Sequence, residues 1–156
     1  MVSKELQDCF DRVIRGAQQS RHAIITIEHI LLGLLDCESV SIALRICAVD
    51  IEDMHESLSD YIFAKRTLMS DDGTEPVIAP ELKHVWVRAV SYRLSRPGSG
   101  TEVTGTDVVL AILHDTSLIC SQTLLRAGAT KLAIMTYVGT TIEIPISWES
   151  PSFGCK

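Results

Sequence analysis

One segment, Thr26–Leu35, constrains the fold most, because it has the pattern of a helix that is apolar on nearly every side. Thr26 is a good N-cap, since its hydroxyl can accept a free backbone N–H of the first turn, and Glu28 suits the positive end of the helix dipole. The segment is too short to span a bilayer, which takes about 20 apolar residues, so it must be surrounded by protein. Only its polar first turn, with Glu28 and His29, is expected to reach solvent.

A second segment, Thr104–Leu113, repeats this organisation, with Thr104 in the place of Thr26 and Asp107 in the place of His29. The helix before each segment is also repeated. The apolar positions Leu6, Cys9, Phe10, Val13 and Ile14 recur at the same spacing as Leu82, Val85, Trp86, Ala89 and Val90. Self-similarity of this kind predicts a duplicated chain in which two similar units share one core.

Helical periodicity predicts four helices in the first half. The first runs from about Lys4 to Gln19 with Ser3 as its cap, and the central helix ends near Asp36. A short third helix carries the apolar positions Val40, Ala43, Leu44 and Cys47. Asp50 caps a fourth helix, whose predicted buried stripe is Ile51, Met54, Leu58, Tyr61 and Ile62.

Four matching helices are predicted in the second half. Pro80 suits the first position of helix five, and the Thr104 segment forms helix six. Helix seven runs over residues 118–127, where Leu125-Arg126-Ala127 echoes Leu44-Arg45-Ile46, and Gly128 stands where a C-cap glycine belongs. The positions Leu132, Met135 and Val138 outline helix eight.

The predicted fold class is therefore all-α, with two tandem four-helix units, eight helices in total, packed as one domain. Residues 1–65 form the first repeat, 66–79 an exposed linker and 80–139 the second repeat, which carries a small insertion at 96–100. Residues 140–156 alternate weakly and contain Pro145, a pattern that favours an extended tail.

Charge and cysteine usage narrow the function. The 156 residues include 20 acidic and 14 basic side chains, a formal charge of -6, which argues against nucleic acid as a partner. The five cysteines are scattered with no Cys-x-x-Cys pair, so reduced thiols in a cytoplasmic protein are expected. The chain has no apolar segment typical of a secretory signal or a membrane anchor, so no membrane association is expected.

The duplicated, Thr-capped core helix resembles the N-terminal double repeat of the Clp family of AAA+ unfoldases. The resemblance covers roughly residues 1–139 and is strongest to the A-type Clp ATPases. It is carried by Arg21-His22 and residues 25–35, by Ala43-Leu44, Cys47 and Val49-Asp50, and by Arg88-Ala89-Val90 and residues 102–105.

The resemblance implies a protein-interaction domain in front of an ATPase ring, where it receives a ClpS-like adaptor or unfolding substrates for ATP-dependent proteolysis by ClpP. By position, the family's contact residues would be Glu28 and Arg88, with Arg21, His22 and His84 as neighbours. The chain has no Walker A loop, so it would reach ClpP only through a ring that this sequence does not contain. No enzyme activity and no cofactor are expected, and the isolated domain is expected to be a monomer.

Two other interpretations stay open on sequence grounds. The chain could be a stand-alone double-repeat regulator that binds adaptors or Clp components. It could also be a small helical enzyme that uses the thiol of Cys47 or Cys120, or a metal held near Arg21-His22 and Glu28-His29. Both cysteines lie inside apolar helical patterns, which favours core packing, and no His-Glu-x-x-His motif is present.

Overall fold

The structure, a computed structural model, describes residues 2–64, 75–95 and 100–138. The first part of the expected linker, most of the insertion at 96–100, the tail and Cys155 lie outside these residues. The described helices are α1 Lys4–Gln19, α2 Ile27–Leu34, α3 Glu38–Ile46, α4 Ile51–Ala64, α5 Pro80–Ser95, α6 Gly105–His114 and α7 Ile119–Ala127, followed by helical residues 131–138, here α8. Two short strands, β1 Ile24–Ile25 and β2 Val77–Ile78, accompany them. The predicted all-α class is confirmed.

The two core helices begin with equivalent capping boxes, as the duplication predicts. The backbone N–H of Thr26 donates to Nδ1 of His29 at 3.1 Å, and the backbone N–H of Thr104 donates to Oδ2 of Asp107 at 2.8 Å. Each contact satisfies a donor that would otherwise be free at the helix start. The prediction that His29 reaches solvent is wrong: the side chain must fold back to the cap, so the residue is only 7% exposed.

The two repeats are interlocked by short strand pairings. β2, which precedes α5 in the second repeat, pairs in parallel with β1, which precedes α2 in the first. In the opposite sense, Val2 of the first repeat forms a parallel bridge with Val103 of the second. Part of the predicted linker over 66–79 forms β2: its two residues are exposed and are tied to the first repeat by backbone hydrogen bonds, and Ala79 is buried.

The core lies where each central helix meets the opposite repeat. α2 packs on α1 and contacts α7, and α6 packs on α5 and contacts α3. The approach of α6 to α3 is so close that a Cβ added to Gly105 would lie 2.6 Å from Cγ2 of Val40. Every residue of α6 from Gly105 to Leu113 is buried, which makes it the inner counterpart of α2.

Helices α3 and α7 end with equivalent backbone hydrogen bonds, which determine how the two repeats align. The N–H of Val49 donates to the carbonyl of Leu44, and the N–H of Ala129 donates to the carbonyl of Leu124. Leu124, fully buried like Leu44, is therefore its counterpart, and the expected match to Leu125 is wrong by one residue. Periodicity could not detect this shift, because adjacent leucines occupy both positions.

The same one-residue shift changes which residues of α8 are buried from those predicted. Ile134 and Val138 are buried, whereas Leu132 is 77% and Met135 44% exposed. In α4 the buried positions are Met54, Leu58 and Ile62, whereas Ile51 and Tyr61 are half-buried.

Among the described residues, no single helix has the length and apolar character needed to cross a bilayer. α6 and α7 together have the required length and apolar character, but the chain bends by 103° between them.

Candidate functional site

An open apolar groove of about 450 Å³ lies between α1 and α5, the first helices of the two repeats. β1 and β2 lie at this groove, and α2 and α6 contribute Ile30 and Val108. Its apolar lining residues are Phe10, Ile14, Ile25, Ile30, Ile78, Leu82, Val85, Trp86, Val87 and Val108, and its polar ones are Gln7, Asp11 and Lys83. Below it will be called the repeat groove.

Large apolar side chains in the repeat groove are open to solvent. Val87 is 64%, Ile78 50% and Ile14 40% exposed. Phe10 and Trp86 meet edge to face across the two helices, with ring centroids 5.9 Å apart. Contiguous exposed apolar surface of this kind, with polar residues beside it, is typical of a protein-interaction site.

A polar cleft of about 340 Å³ lies on the other side of α5 and contains two of the expected contact residues. His84 and Arg88 are exposed there, together with His114 and Asp115 at the end of α6. Hydrogen bonds from the hydroxyl and the backbone N–H of Ser117 hold the pKa of the Asp115 carboxyl below its usual value. The cleft therefore presents an ionised carboxylate beside the Arg88 guanidinium.

Glu28 is not among the residues that line this cleft. It is half-buried in the first turn of α2, where the thiol of Cys120 on α7 is within hydrogen-bonding reach of its carboxylate. Burial, and then the Glu28 charge, raise the pKa of Cys120, so its thiol stays protonated and unreactive. Glu28 thus contributes to the packing contact between α2 and α7.

The remaining expected contacts are separated from Arg88. His22 is only 6% exposed, and its Nδ1 lies 2.9 Å from Nε2 of His29. This pair lies at a second cavity, of about 300 Å³, between α1, α2 and α4. Arg21 is exposed at the preceding turn, with a positive φ of 59°. The structure therefore brings His84 and Arg88 together, but it places His22 as a buried residue at a different cavity.

The geometry gives little support to the two enzymatic alternatives, a bound metal and a thiol nucleophile. In the part of the chain that the structure describes, no three His, Cys, Asp or Glu side chains are grouped so as to hold a metal ion. The thiol of Cys9 is fully buried, and its hydrogen bond with Cys37 and its burial raise its pKa. Thiols with a raised pKa in apolar surroundings are poor nucleophiles.

None of the residues lining the repeat groove was identified as a contact residue from the sequence. The available signal was the size of the apolar stripes on the first and fifth helices. Each of these helices has more apolar residues than its core-facing side can bury, and Ile14 and Val87 are therefore left exposed.

Comparison with known proteins agrees with this architecture. The "ClpA homolog protein" of Fuscovulum blasticum is 27% identical over 154 residues, which cover 97% of this chain. The chain spans only 18% of the length of that relative.

Two solved structures show the same fold. The Hsp104 N-terminal domain of Candida albicans matches with a TM-score of 0.70 at 14% identity, covering 90% of each chain. A ClpV N-domain in complex with a VipB peptide matches with a TM-score of 0.62 at 15% identity, covering 93% of this chain and 85% of that one.

The sequence profile of one family, described as the Clp repeat (R) N-terminal domain, matches residues 1–127. That match includes both capped core helices and both walls of the repeat groove. The chain belongs to the Clp repeat N-terminal domain family.

Proposed function

We propose that this chain is the docking domain of a ClpA-like AAA+ unfoldase and that it receives unfolding substrates and a ClpS-like adaptor for degradation by ClpP. The observation that carries the proposal is the repeat groove, which exposes Ile14, Ile78 and Val87 beside the edge-to-face aromatic pair of Phe10 and Trp86. A binding role needs no catalytic group, and we assign none. The sequence features described above support a cytoplasmic location.

The repeat groove and the polar cleft contribute to binding in different ways. Apolar side chains of a partner gain most binding free energy when they pack against Trp86 and Val87, because apolar surface of both proteins is then removed from water. Exposed charges such as Arg88 contribute more to the association rate and to orientation. We therefore assign substrate segments to the groove and the adaptor to the surface from Glu28 to Arg88.

The relatives support a docking role without identifying the partners or their binding sites. The ClpV N-domain has the same fold and was solved with a VipB peptide, which shows that this architecture can hold a peptide in that protein. The ClpA homologue is much longer than this chain, so the ATPase ring and ClpP enter the proposal only as parts of such a longer protein.

Substrate binding can be tested with two exposed groove positions and one outside. The double variant Ile14→Ser, Val87→Ser should weaken binding of a chemically unfolded protein, such as carboxymethylated α-lactalbumin, at least tenfold in fluorescence anisotropy. Leu132→Ser removes a more exposed side chain that does not line the groove and should leave the affinity unchanged. Equal affinities in all three proteins would contradict the assignment of the groove.

Adaptor binding can be tested at the charged surface. Arg88→Ala should weaken binding of the cognate ClpS-like adaptor in calorimetry at an unchanged melting temperature, because Arg88 is exposed. Glu28→Gln is the better partner variant, since the amide oxygen can still accept the Cys120 thiol proton while the charge is lost. Unchanged adaptor affinity in both variants would remove these residues from the proposed site.

A further inference from the structure

The short sheet at the repeat groove has an unused edge. In the parallel pair, the N–H of Val77 donates to the carbonyl of Ala23, and the N–H of Ala79 donates to the carbonyl of Ile25. Backbone groups of successive residues in a strand point to opposite edges. The N–H and the carbonyl of Ile78 therefore point away from β1, and they have no partner among the described residues.

The register of the sheet links this edge to the groove. Ile25 and Ile78 are paired, so their side chains lie on one face of the sheet, and both line the repeat groove. A strand added beside β2 would place every second side chain on that same face. Backbone pairing at Ile78 and side-chain burial in the groove can thus be made by one extended segment.

We infer that the repeat groove takes its occupant as an extended strand, added in hydrogen-bonded contact to the free edge of β2. The inference rests on the proposed docking function and specifies its substrate class: an unfolded polypeptide segment with apolar residues at alternate positions. A helical occupant would satisfy its own backbone and would leave the edge at Ile78 unpaired.

Charge narrows the occupant further. Asp11 on α1 and Lys83 on α5 are exposed and both line the groove, while the whole chain carries a formal charge of -6. An acidic protein attracts basic segments over distances beyond direct contact. The fitting segment therefore combines alternating apolar residues with flanking lysine or arginine.

The test uses a fluorescein-labelled seven-residue peptide in which valine and threonine alternate between terminal lysines. Ile78→Pro removes the free N–H without removing a hydrogen bond to β1, and proline is tolerated on an edge strand. Ile78→Ala is the matched control, because it also loses the isoleucine side chain but keeps the N–H. The Pro variant should bind about threefold to tenfold more weakly than the Ala variant, the effect of one hydrogen bond.

A second measurement leaves the protein unchanged. N-methylation of the peptide at successive positions should weaken binding in an alternating pattern, since only every second N–H can face β2. A uniform or absent effect, together with equal binding by the Pro and Ala variants, would overturn strand addition. If binding is then still lost in the Ile14→Ser, Val87→Ser protein, the groove remains the docking site; if it is not, the proposed function fails as well.

Discussion

The buried pair His22 and His29 should make this domain acid-sensitive. The backbone N–H of Thr26 can only donate, so Nδ1 of His29 must accept it, and the proton of the neutral ring is on Nε2. That Nε2–H then donates to Nδ1 of His22. A second proton on His29 would have to enter at Nδ1, where it would face the Thr26 N–H and break the cap.

The size of the effect follows from the shift in proton affinity. Burial, and then the charge of His22, lower the pKa of His29 from 6.5 to about 4. Between these values the unfolded chain binds the proton and the folded chain does not, so stability is present above pH 6.5 and is lost as the pH falls toward 4. The difference corresponds to about 3 kcal/mol at full extent. Burial also lowers the pKa of His22, which acts in the same direction.

His29→Gln isolates this contribution. Glutamine at this position can still accept the Thr26 N–H, as in an ordinary capping box, but it does not titrate. The free energy of unfolding, measured by urea denaturation from pH 7.5 to 4, should therefore fall by about 2–3 kcal/mol less in His29→Gln than in the wild type. His84→Gln, at an exposed position, is the control and should follow the wild type. Parallel curves for His29→Gln and the wild type would refute the reasoning.

Four further substitutions test positive φ angles and close packing at individual positions. Ala48 holds a positive φ of 63° where the other repeat has Gly128 at 111°, so Ala48→Gly should raise the free energy of unfolding by about 0.5–1 kcal/mol and Gly128→Ala should lower it by about 1 kcal/mol or more. Changes of the same sign in urea denaturation would contradict this. Gly105→Ala should destabilise by about 1–2 kcal/mol, because the new Cβ meets the buried Val40. Gly16→Ala, where a Cβ meets nothing within 4 Å, should instead stabilise by about 0.5–1 kcal/mol, and loss of stability there would show that helix propensity is outweighed by another term.

Much of the fold could be predicted from sequence because capping and periodicity are local. The start and end of α1 and the start of α5 at Pro80 were predicted to the residue. The match between Leu44 and Leu124 was missed, because adjacent leucines give the same period and only the backbone hydrogen bonds at the helix ends decide between them. β2 was missed since two residues carry no period at all.

The candidate site was less accessible to sequence reasoning, because exposure depends on which helix face the other repeat leaves uncovered. Glu28 was expected to be a free contact residue, yet its carboxylate lies beside the thiol of Cys120. His22 was expected beside Arg88, but its pairing with His29 places it at another cavity. The contact roles of Glu28, Arg88, Arg21, His22 and His84 remain predictions.

Unfolding substrates should occupy the repeat groove between the two repeats, and site-specific photo-cross-linking tests this most directly. A benzophenone amino acid is placed either at position 87, inside the repeat groove, or at position 132, which is 77% exposed outside it. After irradiation with carboxymethylated α-lactalbumin, a covalent adduct should form from position 87 and not from position 132. Equal adducts from both positions, or an adduct from position 132 alone, would contradict the account.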